Sequence, residues 1–267
     1  MPSLTLRARF CCGALLAAAV ALTGCASPAS SDLLPVGGVD YQLGTPYEPA
    51  EGTSIVARDR SSQPASGVFS ICYVNAFQTQ PGELADWPDD ALLRSGGEIV
   101  HDSDWPDEVL LDIGDAEVRD VVVERVGGWI EDCADAGFDA VELDNLDSFT
   151  RSGGAFDADD AVQTAARLVA AAHEAGLPVG QKNAAEHTER MRHEAGFDFA
   201  VAEECAAFDE CSAYTNVYGA DVIDIEYPDT LDDFAAACES GSLPDRTVLR
   251  DRLLVASGQK GYLLQRC

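Results

Sequence analysis

The residues with chemistry to offer stand at the ends of short apolar runs. The plainest run is 138–147, FDAVELDNLD, where Val141 and Leu143 alternate with Ala140 and Glu142 before the chain turns polar at Asp144, Asn145 and Asp147. Other runs stop in the same way, at Asp59, Asn75, Asp112, Lys182 with Asn183, Glu203 with Glu204, and Glu226 with Tyr227. Two carboxyl groups facing one crevice are what glycosidic-bond cleavage needs. One protonates the leaving oxygen, and the other attacks the sugar or activates water. Asp144 and Glu203 suit these parts. Asp144, beside Asn145 and near Lys182, is expected to stay charged, as a nucleophile must. Glu203, among Asp144, Glu204 and Glu226, is crowded by like charge, which favours the protonated form an acid/base requires. Glu142 lies two residues before Asp144 and so shares its face of the run. Asp147 belongs to the following loop, within reach of a sugar. Acceptors for hydroxyls and flat apolar faces for sugar rings complete such a site, and Tyr41, Tyr73, Trp87, Trp105 and Tyr227 are candidates for the latter.

Other chemistries leave no such trace. No glycine-rich phosphate loop follows a run, and no GxSxG elbow exists. His101, His173, His187 and His193 never pair as HExxH, no CxxC is present, and no histidine flanks a cysteine at metal-ligand spacing. Neither a metal nor a cofactor is expected. Lys and Arg total 17 against 47 Asp and Glu, a net charge of -30. That balance, without a basic patch, excludes nucleic acid as a partner and admits a cationic ligand.

Positioning these groups is the work of strands and helices. Eight runs read as strands: 39–43, 54–59, 68–75, 108–112, 140–144, 177–183, 199–203 and 222–227. Helical spacing fills several gaps. In 115–136, Val118, Val122, Trp129 and Cys133 recur toward a stop at Gly137. In 157–176, Asp157 caps a face of Val162, Ala165, Leu168, Val169 and Ala172, and Gly176 ends it. Shorter helices are expected at 186–195 and 231–238. Strands alternating with helices imply a parallel sheet, and eight short ones favour a closed (β/α)8 TIM barrel, whose site lies at the carboxyl ends of the strands. The gaps after the first two strands are too short for helices, so the first two βα units are expected to be irregular. The connection 75–108, with Trp87, Trp105 and several prolines, is expected to cover one face.

The amino terminus reads as an address. Arg7 and Arg9 precede an apolar stretch at 11–22 that is too short for a comfortable membrane span. Leu22, Thr23, Gly24 and Cys25 match a bacterial lipobox, which implies cleavage before Cys25 and lipidation of its sulfur. The chain divides accordingly: signal peptide 1–24, lipidated Cys25 and a flexible tether to 38, and a single domain over 39–267. An exported protein anchored at the cell surface or envelope follows. Of nine cysteines, Cys11 and Cys12 leave with the signal and Cys25 takes the lipid. The rest, Cys72, Cys133, Cys205, Cys211, Cys238 and Cys267, are an even set in an oxidising compartment. Closeness in sequence suggests Cys205–Cys211, a staple for the last residue suggests Cys238–Cys267, and Cys72–Cys133 is left over. About fifteen pairings are open to such a set.

At these residues the chain resembles glycoside hydrolase family 114, the endo-α-1,4-polygalactosaminidase-like barrels. The matching pieces are Tyr41-Gln42-Leu43, Ile71-Cys72-Tyr73-Val74-Asn75, the run from Gly137 to Asp147, Lys182-Asn183, Ala202-Glu203-Glu204-Cys205 with Cys211, and Ile225-Glu226-Tyr227. They run in order through 39–267. The segment Arg58-Asp59-Arg60 departs from the pattern, and 86–107 has no match. The resemblance implies a secreted or lipid-anchored glycosidase acting on α-1,4-linked, galactosamine-containing polysaccharide. Its catalytic Asp falls on Asp144 and its catalytic Glu on Glu203. The rest of the rim (Tyr41, Asp59, Tyr73, Asn75, Asp112, Asn145, Asp147, Lys182, Asn183, Glu204, Glu226 and Tyr227) is left to bind substrate. A monomer is expected. The alternatives are a carbohydrate-binding lipoprotein without activity and a glycosidase for another sugar. If Cys25 carries the lipid, Cys25→Ala expressed in a bacterial host moves the protein from the detergent phase to the aqueous phase. An unchanged partition rules the anchor out.

Overall fold

The computed structural model describes residues 1–3 and 33–267, so the expected signal peptide, Cys25 and most of the tether lie outside the described residues. Eight parallel strands form the barrel wall: β1 (Gly38–Gln42), β2 (Thr53–Asp59), β3 (Phe69–Asn75), β6 (Ala140–Asp144), β7 (Val179–Lys182), β8 (Phe199–Glu203), β9 (Val222–Glu226) and β10 (Arg246–Arg250), with neighbours in that order. A small hairpin, β4 (Arg94–Ser95) with β5 (Glu98–Ile99), sits in the long connection after β3. The last strand, β11 (Leu264–Arg266), runs antiparallel on β10. Period-two alternation sorts the side chains. Val39, Tyr41, Ile55, Ala57, Ile71, Ala140, Phe199, Val201, Ile223, Ile225 and Val248 fill the barrel. Val74, Val141, Leu143, Val179, Ala200, Ala202 and Val222 face the helices. Gly180 has a specific job: a Cβ there would lie 2.5 Å from the Phe199 ring, so glycine leaves that space to the ring.

The helices are α1 (Ala116–Ala136), α2 (Ala158–Glu174), α3 (Thr188–Arg190), α4 (Cys211–Tyr218) and α5 (Phe234–Ser240). Asp115 caps α1 by accepting from the amides of Glu117 and Val118, and Gly137 ends it at φ 91°. Asp157 opens α2 in a capping box with Asp160. No helix follows β1 or β2, which agrees with the short gaps. The helix expected at 186–195 is three unlike turns in succession, with α3 between a 3-10 turn and a π turn. Helix α4 carries no clear sequence signal and was not expected.

One strand was misplaced. The run 108–112 makes only isolated antiparallel bridges, Gln78 to Leu110, Leu92 to Leu111 and His101 to Val109. Its leucines are fully buried, but under the long connection and not in the wall. The eighth parallel strand is instead β10, RTVLR, whose arginines hide its apolar alternation. Those arginines close the barrel. Among the described residues no strand ladder joins β1 to β10. Arg250, fully buried, donates to Asp40 at 3.3 Å and to the carbonyls of Tyr41, Leu263 (2.8 Å) and Val255 (3.2 Å). Arg266 donates to the Val39 carbonyl at 3.0 Å, and Arg246 to those of Pro35 (2.9 Å), Leu34 and Ala220. Guanidinium forks thus take up carbonyls along the seam.

Three disulfides, Cys72–Cys133, Cys205–Cys211 and Cys238–Cys267, tie β3 to α1, close the loop after β8 and pin the chain end to α5. Among the described residues no helix is long and apolar enough to cross a membrane. Arg250→Ala leaves the Asp40 carboxylate buried without its cation, and the expected loss is about 3–5 kcal/mol of unfolding free energy in urea. A loss below about 1 kcal/mol, the scale of an exposed pair, shows that the seam does not depend on this residue.

Candidate active site

Three successive strands end on the same device. Asp144 is followed by Asn145 at φ 62°, Lys182 by Asn183 at φ 54°, and Glu203 by Glu204 at φ 64°. A left-handed residue costs roughly 1–2 kcal/mol outside glycine and is most tolerable for asparagine. The turn takes the backbone sharply out of the sheet and leaves the last inward side chain at the rim. There Lys182 Nζ lies 3.5 Å from Asp144 Oδ2 and 3.2 Å from Glu203 Oε2. Tyr73 donates to Asp144 Oδ2 at 2.7 Å, and the amide of Asn145 donates to Asp144 Oδ1 at 2.7 Å. Tyr227 donates to Glu203 Oε1, and Asn183 touches Glu203 twice, accepting from its amide at 2.8 Å and donating to Oε2 at 3.4 Å. Asp144, Lys182 and Glu203 line a cleft of about 290 Å³ with Asp59, Tyr73, Trp105, Glu108, Tyr227 and Arg252. A hollow of about 360 Å³ at the amino ends of the strands, lined by Gly38, Arg246 and Arg266, brings no such pair of carboxylates together.

The family model of glycoside-hydrolase family GH114 matches residues 23–267. The chain belongs to that family. It is a glycosidase. The GH114 chain is similar to the crystal structure of Ega3 from Aspergillus fumigatus in complex with galactosamine, with a TM-score of 0.69 and 23% identity over 87% of this chain and 95% of that one. It is also similar to the glycoside hydrolase domain of PelA from Pseudomonas aeruginosa, with a TM-score of 0.58 and 17% identity over 84% of this chain and 98% of that one. At these identities the likeness shows a common fold. No curated protein matches the sequence.

Within this GH114 barrel all but two of the expected site residues fall into four places. Asp59, Tyr73, Asp144, Asn145, Lys182, Glu203 and Tyr227 line the cleft. Tyr41 lies beneath it, fully buried, and donates to Glu142. Asn75 is a buried strut behind it, donating to Glu108 at 2.9 Å and accepting from Asn145 Nδ2 at 2.9 Å. Asp147, Asn183 and Glu204 line a second groove of about 660 Å³ that shares Glu203 with the cleft. Asp112 and Glu226 are elsewhere. Asp112 sits before the start of α1, near Asp115, and lines neither hollow. Glu226 points out of the barrel with Asp224 and accepts from the Ala206 amide at 2.7 Å. The like-charge crowding of Glu203 expected from Glu226 is therefore absent, because alternation sends the two side chains to opposite faces of the wall. Trp87 also leaves the site and packs edge-on against Trp129 of α1.

Charge is balanced around Lys182. Burial pulls its ammonium down, but Asp144, Glu203 and Glu142 outweigh burial and leave it raised. Burial, joined by the carboxylates nearest each ring, pushes the phenols of Tyr41, Tyr73 and Tyr227 well up, so all three remain donors. Two further carboxyls depart from the ordinary range. Burial pushes Glu142 up to about 7 against the pull of Lys182 and the Tyr41 hydroxyl. Burial also pushes Glu108 up to about 7, opposed by Asn75 and assisted by Asp144 and Asp102. Glu108 and Arg252 were missed as site residues. Glu108 reads as the first residue of a strand, the end away from a barrel's site, and Arg252 follows the strand whose arginines disguise it.

The Glu142 value has a consequence for stability. Its folded value lies above the ordinary 4.5, so the folded chain keeps a proton that the unfolded chain has already released. The stability this provides is complete below pH 4.5 and is lost as pH rises through about 7. Glu142→Gln, neutral throughout, should gain on the wild type between pH 5 and pH 8 by on the order of 1–3 kcal/mol. Equal differences at the two pH values, measured by urea unfolding, contradict this reading.

Proposed function

We propose that this chain is an exported, lipid-anchored endo-glycosidase that cuts α-1,4-linked, galactosamine-containing polysaccharide, with Asp144 as nucleophile and Glu203 as acid/base. The observation that carries the assignment is the single lysine touching both carboxylates across the cleft of a GH114 barrel. Those two contacts keep the facing oxygens within about 7 Å of each other, so both carboxyls can reach one glycosidic bond. Asp144 is aimed by Tyr73, Lys182 and the Asn145 amide. It attacks the anomeric carbon as Glu203, held by Tyr227 and Asn183, gives its proton to the leaving oxygen. Glu203 then takes a proton from the water that releases the sugar from Asp144.

The sugar follows from charge as well as from kinship. Ega3, the neighbour of TM-score 0.69, is described with galactosamine bound. Here the groove beyond Glu203 is lined by the rings of Phe149, Phe208 and Tyr214 and by five carboxyls; Asp147 pairs with Arg151 and Glu204 with Arg252, while Asp104, Glu186 and Glu210 meet no lysine or arginine among the described residues. A polymer with free amino groups suits such a groove, and salt should weaken its capture. A soluble form beginning at Ala26 is expected to cleave α-1,4-galactosaminogalactan. Asp144→Asn and Glu203→Gln should each lower kcat by at least roughly 10²–10⁴-fold without loss of fold by circular dichroism. Cleavage of some other glycan alone would refute the sugar assignment. Full activity in either variant would refute that residue's role.

A further inference from the structure

The cleft contains one carboxyl whose position the reaction leaves unexplained. Four carboxyls line it: Asp59, Glu108, Asp144 and Glu203. Three have both oxygens engaged. Asp59 accepts from Ser61 and Gln80, Asp144 from Asn145, Tyr73 and Lys182, and Glu203 from Tyr227, Asn183 and Lys182. Glu108 accepts only from Asn75 Nδ2, at Oε2, and among the described residues no donor reaches Oε1. No lysine, arginine or histidine pairs with it in the described part of the chain. Its backbone is fixed, since its amide donates to the Trp105 carbonyl at 2.8 Å and its carbonyl accepts from the Asp102 amide at 3.0 Å. That short turn places Glu108 in the cleft wall with Trp105, a tryptophan left 52% exposed. An exposed indole beside a fixed carboxyl with one free oxygen combines a stacking face for a sugar ring with a polar probe at its edge.

We propose that Glu108 reads the nitrogen substituent of the sugar bound on the Asp144 side of the cleft, with Trp105 as its platform. The proposal rests on the galactosamine reading above and adds a specificity residue to it. The orientation of Asn75 decides which oxygen does the reading. Its Oδ1 already accepts from Asn145 Nδ2 at 2.9 Å and from the Gln78 amide at 3.2 Å, so its Nδ2 must be the group that meets Glu108. In a protonated carboxyl the carbonyl oxygen is the stronger acceptor, so the Asn75 amide favours Oε2 as the carbonyl and Oε1 as the hydroxyl. When Glu108 is protonated, the proton is on Oε1, facing the cleft, and Glu108 donates to an acetamide carbonyl. When it is ionised, Oε1 accepts from an ammonium in a charge-assisted hydrogen bond.

The groups that face Glu108 are Tyr73 and Asn75 from β3, Asp144 from β6, Lys182 from β7, and Asp102 on its own segment. The balance of burial and Asp144 against Lys182 and Asn75 places its changeover at about 7. The same side chain therefore favours acetylated sugar on the acid side and free amino sugar on the alkaline side.

The test compares fully deacetylated and N-acetylated α-1,4-galactosamine oligosaccharides as substrates for the wild type and Glu108→Gln, from pH 5.5 to 8.5. In the variant the amide nitrogen faces the cleft as a permanent donor. Expected is a roughly tenfold loss of kcat/KM on the deacetylated substrate, carried mainly by KM. Activity on the acetylated substrate falls less than on the deacetylated one, and circular dichroism checks that the variant folds. In the wild type the ratio of the two activities rises through pH 7, whereas in the variant the change due to Glu108 is gone. The comparison is read where the substrate's amines, titrated separately, are still protonated, because the charge-assisted bond in the wild type needs the ammonium. Equal losses on both substrates, an unchanged variant, or a collapse of kcat at constant KM would each overturn the proposal. A wild type that neither cuts nor binds these sugars, judged by calorimetry, overturns the functional reading and this proposal together. A wild type that cuts both, with an indistinguishable variant, overturns this one alone.

Discussion

Lys182 is the point on which the site depends. It is 2% exposed and stands within reach of Asp144 and Glu203, with Glu142 close behind. Three carboxyls in so small a volume repel one another, and one buried cation offsets that repulsion while their attraction offsets its desolvation. Each carboxyl accepts from one phenol: Glu142 from Tyr41, Asp144 from Tyr73 and Glu203 from Tyr227. These donors come from β1, β3 and the residue after β9, so the arrangement exists only when the wall is closed. Polar satisfaction in the upper layer of the barrel and closure of the fold are one requirement.

The wall meets that requirement at its weakest place through arginine. Between β10 and β1 no ladder forms among the described residues, and Arg250, Arg266 and Arg246 bind the free carbonyls instead. At the opposite side of the barrel the strain is local. Asn145, Asn183 and Glu204 adopt left-handed backbone directly after the residues that face the cleft. Two of the three are asparagine, which bears that conformation best. Glu204 bears it with help from an ion pair to Arg252 at 2.8 Å, and Arg252 in turn lies 4.2 Å above the Tyr227 ring. The residue after Glu203 thus reaches back through Arg252 to the phenol that holds Glu203.

Much of this was legible before any coordinates. FDAVELDNLD announces a buried strand ending in acid, and its period-two spacing already puts Glu142 and Asp144 on one face. The same rule, applied to VIDIEY, separates Glu226 from Tyr227, and neglecting it is what placed Glu226 in the site. The missed strand has a similar cause. In RTVLR the two arginines are buried and bonded to backbone, yet arginine in a sequence is ordinarily read as exposed. Conversely, EVLLD has the composition of a strand, but its apolar residues are satisfied beneath the long connection, a tertiary choice that composition does not record.

By itself, the sequence determined the alternation of short apolar runs with helical segments, the polar stop at each run's end, and an even set of cysteines after the first 25 residues. These follow from local rules: period, capping and compartment chemistry. Only the tertiary structure decided which carboxyls share a lysine, which phenol serves which carboxyl, and that Glu108, on a connecting segment, enters the cleft with one oxygen unmet. Those facts depend on residues as far as 101 positions apart, as Tyr41 is from Glu142, and on how much water burial removes from each group. Neither distance in space nor desolvation is encoded in spacing along the chain.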